Sequence, residues 1–253
     1  MTDAGVLKTI PGGTQPVKPD YKVYGSCSIK SRKTGAHYLF VNAKTSEYLQ
    51  YELTSSTNGT LSTKLVRSFK AGSGGQVEGC VTDEENGWIF IGEEPNALWR
   101  YDAEPTSIAP GVAVAKVGDG HLFADVEGVT MAFGKKADEG YILVSNQGVS
   151  AYNVYRRAAP HAYVTTFTIV QTANGKVDGV TNTDGITAVG TALGKDFPHG
   201  LIVVHDDANE LPGGGTSAEA SFKLVSLEAV LGAKQLKSLK LLDQVDEKWD
   251  PRK

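Results

Sequence analysis

Alternating apolar and polar residues run along most of the chain and predict short, half-buried β-strands. Four such segments contain an apolar triplet, at residues 39–41, 89–91, 142–144 and 201–203. A further alternating segment follows three of them, at 47–52, 97–101 and 151–156. A convincing helical pattern is confined to residues 227–231. The pattern therefore predicts an all-β chain made of antiparallel strands.

A short phrase precedes each apolar triplet and identifies the segments as repeats. It reads Val-Tyr-Gly, Val-Glu-Gly, Val-Glu-Gly and Thr-Asp-Gly, and its copies end at Gly25, Gly79, Gly128 and Gly185. Three positions beyond each triplet stands a second polar residue: Lys44, Glu94, Gln147 and Asp206. A period of about fifty residues in an all-β chain is typical of propeller blades. We therefore expect a β-propeller with three- or four-stranded blades, in preference to a β-sandwich, which needs no matched polar positions.

Charge and composition narrow the range of partners. The net charge is −4, and no basic stripe interleaves with aromatic residues, so we expect no nucleic-acid partner. No stretch approaches the roughly 20 apolar residues that span a bilayer, so we expect no membrane partner. Residues 1–20 are polar, contain several Gly and Pro residues and show no signal-peptide pattern, which predicts a connecting segment.

Two cysteines follow the first two repeat phrases. Cys27 lies two residues after Gly25, whereas Cys80 lies one residue after Gly79. Strand alternation directs side chains at such unequal offsets to opposite faces of neighbouring strands. The spacing therefore favours buried free thiols over a disulfide, although it leaves pairing open.

The repeat places acidic side chains at equivalent positions in successive units. They are Glu78, Glu127 and Asp184 in the phrase, with Glu94 and Gln147 at the second polar position and Asp125 just before Glu127. In a propeller these positions face one central funnel, where two carboxylates about 4 Å apart repel by roughly 4 kcal/mol. A hard cation relieves this repulsion, and an all-oxygen ligand set favours Ca²⁺. The five histidines show no ligand spacing for zinc.

The first unit replaces the acids by Tyr24 and Lys44. A phenol and an ammonium group beside a calcium cluster suit an anionic, oxygen-rich ligand, and phosphate fits this description. The sequence contains no Gly-x-Ser-x-Gly elbow and no phosphate-binding Walker loop, so covalent catalysis is not indicated.

The same residues carry a resemblance to the β-propeller phytases, calcium-dependent phosphatases that hydrolyse inositol hexakisphosphate. The matching segments are 23–25 (VYG), 50–53 (QYEL), 77–79 (VEG), 91–94 (IGEE), 99–105 (WRYDAEP), 125–128 (DVEG), 145–148 (SNQG) and 182–185 (NTDG). The resemblance covers nearly everything from Tyr21 onward.

This resemblance implies roles for individual residues. Those implied to hold several calcium ions are Glu78, Glu94, Asp125, Glu127, Gln147, Asp184 and Gly185. Lys22, Tyr24 and Lys44 match residues that contact substrate phosphate, and Lys22 stands where the family often has arginine. Tyr24, Lys44 and Glu94 are implied to take part in catalysis, in which a metal-activated water attacks phosphorus. A secreted protein is implied as well.

The chain also departs from the family pattern. The family has six blades, whereas four units are recognisable here, so we expect a partial propeller over residues 21–253 that forms an open arc. The missing part would carry further calcium-binding acids and basic phosphate ligands. His205 stands where a family Gln is expected. The main alternative is a non-catalytic, calcium-stabilised binding or scaffold module, and a lactonase-type propeller is less consistent with the matched phrases.

Overall fold

A computed structural model describes residues 5–211, 213–217 and 219–250. Within these residues, fifteen strands form four antiparallel sheets. The first sheet comprises β1 (Gly25–Lys30), β2 (His37–Asn42), β3 (Glu47–Ser55) and β4 (Leu61–Lys70). The second comprises β5 (Val77–Asp83), β6 (Trp88–Glu93), β7 (Ala97–Asp102) and β8 (Val112–Lys116). The third comprises β9 (Val126–Phe133), β10 (Gly140–Asn146), β11 (Ala151–Arg156) and β12 (Tyr163–Phe167). The fourth comprises β13 (Ile186–Val189), β14 (Leu201–Asp206) and β15 (Ser221–Ser226).

Each sheet is a meander whose strands are hydrogen-bonded in chain order. The first strands of successive sheets, β1, β5, β9 and β13, lie next to one another. This arrangement makes each sheet a propeller blade with its first strand innermost, and it confirms the all-β propeller prediction.

The helical content is small. One α-helix, α1 (Leu227–Leu231), follows β15, and three 3₁₀ segments lie at Gln147–Val149, Lys234–Leu239 and Leu241–Gln244. The helix occupies the segment that the sequence pattern predicts. Among the residues that the structure describes, no helix combines the length and apolar character needed to cross a membrane.

The repeated glycines let neighbouring inner strands approach closely. A Cβ atom on Gly25 would lie 2.4 Å from the Glu78 carbonyl oxygen. One on Gly79 would lie 2.3 Å from the carbonyl oxygen of Glu127. One on Gly128 would lie 2.7 Å from that of Asp184. At each of these glycines, the backbone of the acidic residue in the next repeat phrase lies directly against the Cα atom. Any residue with a Cβ atom would clash with that backbone.

Packing between blades comes mainly from their apolar faces. Leu143 and Val154 of the third blade share one buried cluster with Ile202 and Val204 of the fourth. An ion pair also joins the second and third blades, since the buried Arg157 donates from Nε to Asp83 Oδ2 at 2.7 Å and from Nη2 to Asp83 Oδ1 at 2.6 Å. Side-chain packing thus holds together blades that share few backbone hydrogen bonds.

The segment before β1 lies along the first blade. The backbone N–H of Leu61 donates to the Pro11 carbonyl at 2.8 Å. The Tyr21 hydroxyl donates to the backbone carbonyls of Val41 and Glu47 at 3.0 and 2.7 Å. A boundary at residue 20 between a connecting segment and the propeller domain stays a prediction.

Cys27 and Cys80 form a disulfide with their Cα atoms 5.8 Å apart, so the prediction of free thiols is wrong. The reason is a β-bulge in β5. Val77 pairs with Glu93 and Cys80 pairs with Ile91, so three residue steps on β5 oppose two on β6. The extra residue reverses the alternation after Glu78 and turns Cys80 toward Cys27 on the neighbouring inner strand.

Candidate metal and phosphate site

Three carboxylates from two blades meet at the funnel. Glu78 lies on β5, Glu127 lies on β9, and Glu94 directly follows β6; one oxygen from each lies within 4.8 Å of the others. Backbone hydrogen bonds fix Glu94 in this position, because its N–H donates to the Gln76 carbonyl and its carbonyl accepts the N–H of Val126, both at 2.9 Å. The structure therefore brings together three of the residues that the sequence predicts as calcium ligands.

Burial and mutual repulsion dominate the electrostatics of this trio. Glu127 is only 5% exposed, and burial, followed by interaction with Glu78 and the charges of Glu94 and Asp184, raises its pKa to about 9. Burial also raises the pKa of Glu94, and the charges of Glu78 and Asp125 add to this rise. In Glu78 and Glu127, the Oε2 atom is buried without a hydrogen-bond partner. Such unsatisfied carboxylate oxygens are costly unless a proton or a cation compensates them.

The trio fits a hard divalent cation. All of its donors are oxygens, and Ca²⁺ binds oxygen at about 2.3–2.6 Å. A single ion can reach all three carboxylates, because their ligand atoms lie within 4.8 Å of one another. The unpartnered oxygens of Glu78 and Glu127 are thus free to serve as ligands.

A second polar group surrounds Asp184, just before β13. The Gln147 side-chain amide donates to Asp184 Oδ1, and His205 Nδ1 lies 3.0 Å from Asp184 Oδ2. Burial raises the pKa of Asp184; the charge of His205 opposes this rise, and that of Glu78 adds to it. The charge of Glu78 therefore acts both on this group and on the trio.

His205 is a site residue that the sequence analysis did not assign to a role. The matched position in the fourth unit is Asp206, whose carboxylate is buried, lies 2.7 Å from Lys223 Nζ and accepts the N–H of Thr181. The fourth blade pairs differently from the others, since the His205 N–H donates to the Gly185 carbonyl at 3.0 Å. This pairing brings His205 instead of Asp206 to Asp184. The sequence signal that could have identified this residue is its place directly before the matched position Asp206.

Two further predicted ligands adjoin these groups. Asp125 directly precedes β9; its carbonyl accepts the Gln147 N–H at 2.9 Å, and its charge acts on Glu94. Gly185 offers its carbonyl oxygen, which already accepts the N–H of His205. Metal binding by these two residues stays a prediction.

A cavity of about 520 Å³ lies on the side of the first blade, where three lysines and the carboxylates of Asp20 and Glu47 line it. Its lining includes Lys18, Lys22, Tyr24 and Lys44. The Lys44 ammonium lies 4.2 Å from the centroid of the Tyr24 ring. Burial, followed by interaction with Glu78, raises the pKa of the Tyr24 phenol. Tyr24 therefore connects the cavity that Lys22 and Lys44 line with the carboxylate of Glu78, as expected for a residue that binds an anion beside a metal.

Lys18 was missed by the sequence analysis, since it lies in the predicted connecting segment. Its Nζ is 2.5 Å from Glu47 Oε1, which fixes the ammonium group at the cavity wall. No repeat position marks this lysine, so periodicity gave no signal for it.

Comparison with known proteins identifies the family. The family model for phytase matches residues 1–253, and the chain belongs to the phytase family. It is 37% identical over 253 residues to the 3-phytase of Bacillus subtilis strain 168, covering 96% of this chain and 64% of that protein. The chain thus spans 64% of the length of this curated relative.

Two solved structures illustrate a distant similarity to this chain. A humanized mutant of Chaetomium thermophilum Polycomb Repressive Complex 2 bound to the inhibitor GSK126 aligns with a TM-score of 0.45 and 16% identity, over 75% of this chain and 39% of that chain. The WD40 domain of SCAP from fission yeast aligns with a TM-score of 0.40 and 11% identity, over 86% of this chain and 47% of that chain. The fold assignment rests on the four blades themselves.

Proposed function

We propose that this protein hydrolyses phosphate monoesters of phytate, myo-inositol hexakisphosphate, and that it requires calcium. One observation carries the proposal: three carboxylate oxygens lie within 4.8 Å of one another beside a cavity that contains Lys44 and Tyr24. Acids that hold divalent ions next to ammonium groups suit a substrate with several phosphates. Membership of the phytase family and the 3-phytase relative support this substrate class.

In this proposal the basic residues bind the phosphate and the acidic residues bind the metal. Lys44 and Lys22 bind phosphate oxygens as point charges, and the Tyr24 phenol orients the same phosphate by a hydrogen bond. Calcium, when bound by the trio and by Asp184, Gln147, Asp125 and Gly185, supplies charge neutralisation and an activated water. Gln76 Nε2 donates to Glu94 Oε1 at 2.5 Å and so orients the Glu94 carboxylate, which would hold the metal and would accept a proton from the water that the metal activates.

The test is phosphate release from phytate by the purified protein. We expect release with calcium and none with excess EGTA. Glu94→Gln should lower kcat/KM at least about tenfold, because even an outer-shell change at a metal site costs that much. The exposed helix residue Glu228 provides the control, and Glu228→Gln should retain full activity. Chelator-insensitive turnover would reject the proposal.

The second candidate is a calcium-stabilised module without catalysis. The buried, unpartnered oxygens of Glu78 and Glu127 support this candidate as well, because a purely structural ion would satisfy them equally. Calcium at 100 times its Kd should stabilise the fold by about 2.7 kcal/mol in either case. A calcium-dependent rise in Tm without phosphate release would favour this candidate over the hydrolase.

We also propose an extracellular location. The Cys27–Cys80 disulfide supports it, because disulfides persist mainly in oxidising compartments. Fractionation of the native host with an antibody against the chain tests the location.

A further inference from the structure

A cavity of about 410 Å³ lies at the rim of the propeller opposite the acidic trio. The inner strands β5 and β9 begin beside the trio and end at this cavity, where Val81 and Thr82 of β5 and Phe133 of β9 line it. Glu127 and Phe133 lie near opposite ends of β9, so a rise of about 3.3 Å per residue separates them by roughly 20 Å. The cavity is therefore separate from the proposed metal and phosphate site.

The chain segment 246–250 forms one wall of the cavity, and hydrogen bonds to the backbone hold it there. The backbone N–H of Asp246 donates to the Phe133 carbonyl at 2.8 Å. The Thr191 hydroxyl donates to the carbonyl of Trp249. These bonds tie the segment to the end of β9 and to the turn after β13. The wall is thus fixed before any ligand binds, which lowers the entropic cost of binding.

Two aromatic rings give the cavity an apolar surface. The Trp249 indole is stacked on the Phe133 ring, with centroids 4.6 Å apart and an interplanar angle of 7°. The buried guanidinium group of Arg157 lies 5.2 Å from the centroid of the Phe133 ring and stabilises it by cation–π attraction. A planar aromatic ligand packs well against such a surface. The volume of the cavity suits a small ligand of this kind.

Charged side chains of both signs line the same cavity. The acids are Glu84, Glu85, Asp246 and Asp250, and the bases are Arg32, Lys135 and Lys248. Glu85 pairs with Arg157 at 2.7 Å and with Arg32 at 3.8 Å. In contrast, neither the Lys135 nor the Lys248 ammonium group forms an ion pair within the part of the chain that the structure describes. Two exposed cationic groups therefore remain available to a ligand.

We propose that this cavity binds a small aromatic monocarboxylate, with its ring against Trp249 and Phe133 and its carboxylate near the ammonium groups of Lys135 and Lys248. Charge complementarity selects an anion, because these two ammonium groups lack an ion-pair partner among the described side chains. The four carboxylates that also line the cavity favour a single negative charge over the higher charge of a phosphate ester. The inference does not rest on the proposed hydrolysis of phytate, which uses the opposite rim.

The test is an NMR titration of the whole protein with 2-naphthoate, read from the indole N–H signals of its three tryptophans. We expect one site with a Kd of about 1 mM or tighter, the ordinary affinity for a ligand of about 13 non-hydrogen atoms. The Trp249 signal, identified by its loss in Trp249→Phe, should shift more than those of Trp88 and Trp99. Lys135→Gln with Lys248→Gln should weaken binding at least tenfold.

The matched control is Lys64→Gln with Lys176→Gln, since both of these lysines are exposed and neither lines the cavity. This control should bind 2-naphthoate as the wild type does. The uncharged analogue 2-naphthamide should bind the wild type at least tenfold more weakly than 2-naphthoate. Because this comparison uses the wild type alone, it decides the charge requirement even if a variant is destabilised.

Three results would overturn the inference. The first is equal affinity of 2-naphthoate for the wild type and for Lys135→Gln with Lys248→Gln. The second is a set of shifts confined to Trp88 and Trp99. The third is displacement of 2-naphthoate by phytate in EDTA, which would place the ligand at the phosphate site instead.

Discussion

At the scale of single residues, Glu127 shows the electrostatic state of the acidic trio most clearly. The side chain lies on an inner strand; burial, followed by interaction with Glu78 and the charges of Glu94 and Asp184, raises its pKa to about 9. At neutral pH the metal-free protein therefore keeps a proton on Glu127. Cation binding must displace this proton, so affinity falls as the pH is lowered.

This pKa predicts how stability changes with pH. The folded value of about 9 lies above the unfolded value near 4.3, so the folded state binds more protons between these two values. The free energy of unfolding of the metal-free protein should therefore fall as the pH rises from 7 to 9. Saturating calcium should remove most of this fall, and Glu127→Gln should lessen it. Thermal unfolding in EDTA and in calcium over this range is the measurement.

Several groups outside the site do not titrate within this range, whereas Glu94 and Asp184, whose pKa values are also raised, act in the same direction as Glu127. Burial lowers the pKa of His161 from 6.5, so its contribution to the pH dependence lies mainly below pH 7. Glu93, Asp119 and Asp178 have lowered pKa values, and their contributions change only below about pH 4.5. Glu228→Gln should leave the slope unchanged. A slope of the same size in Glu127→Gln would contradict the role given to this residue.

At the scale of elements, the repeat phrase predicts both the inner strands and their spacing. Strands β3, β7 and β11 begin where the alternating segments begin, at residues 47, 97 and 151, and α1 spans the predicted 227–231. Local periodicity suffices here, because each strand buries one face against a neighbouring blade. The outermost strands β4, β8 and β12 were not located individually, since they carry no repeated phrase.

The repeat glycines give a matched pair of variants. Gly79→Ala should lower the free energy of unfolding by about 1–3 kcal/mol, because its Cβ would lie 2.3 Å from the Glu127 carbonyl oxygen. Gly185→Ala should change it by less than about 0.5 kcal/mol, because no described atom lies within 4 Å of the added Cβ. Denaturant unfolding of both variants is the measurement. Equal losses would show that close approach between blades is not what selects glycine.

At the scale of the whole molecule, sequence reasoning predicted the acids but not all their partners. The trio follows from repeat positions, because equivalent residues of a propeller face the same funnel. The Cys27–Cys80 disulfide does not follow, since a bulge at one strand cancels the unequal offsets. The pairing of the fourth blade, which sends Asp206 to Lys223, depends equally on register between strands. Register is a tertiary property, and single-residue shifts in it exchange the two faces of a strand.

We expect the disulfide to support the Tyr24 and Lys44 side of the site more than the acidic trio. It joins the first blade, which carries Tyr24 and Lys44, to the second, whereas the trio of Glu78, Glu94 and Glu127 lies on the second and third blades. Removing it releases a loop with a sequence separation of 53, so Cys27→Ser with Cys80→Ser should cost up to about 4 kcal/mol of unfolding free energy. In the folded variant, KM for phytate should rise while the calcium affinity changes less, because only the phosphate side loses its link. Denaturant unfolding, calcium titration and steady-state kinetics measure the three quantities.

Reductant should reproduce the effects in the wild type and leave the double variant unchanged. A loss of calcium affinity as large as the change in KM would contradict the different roles given to the two sides of the site.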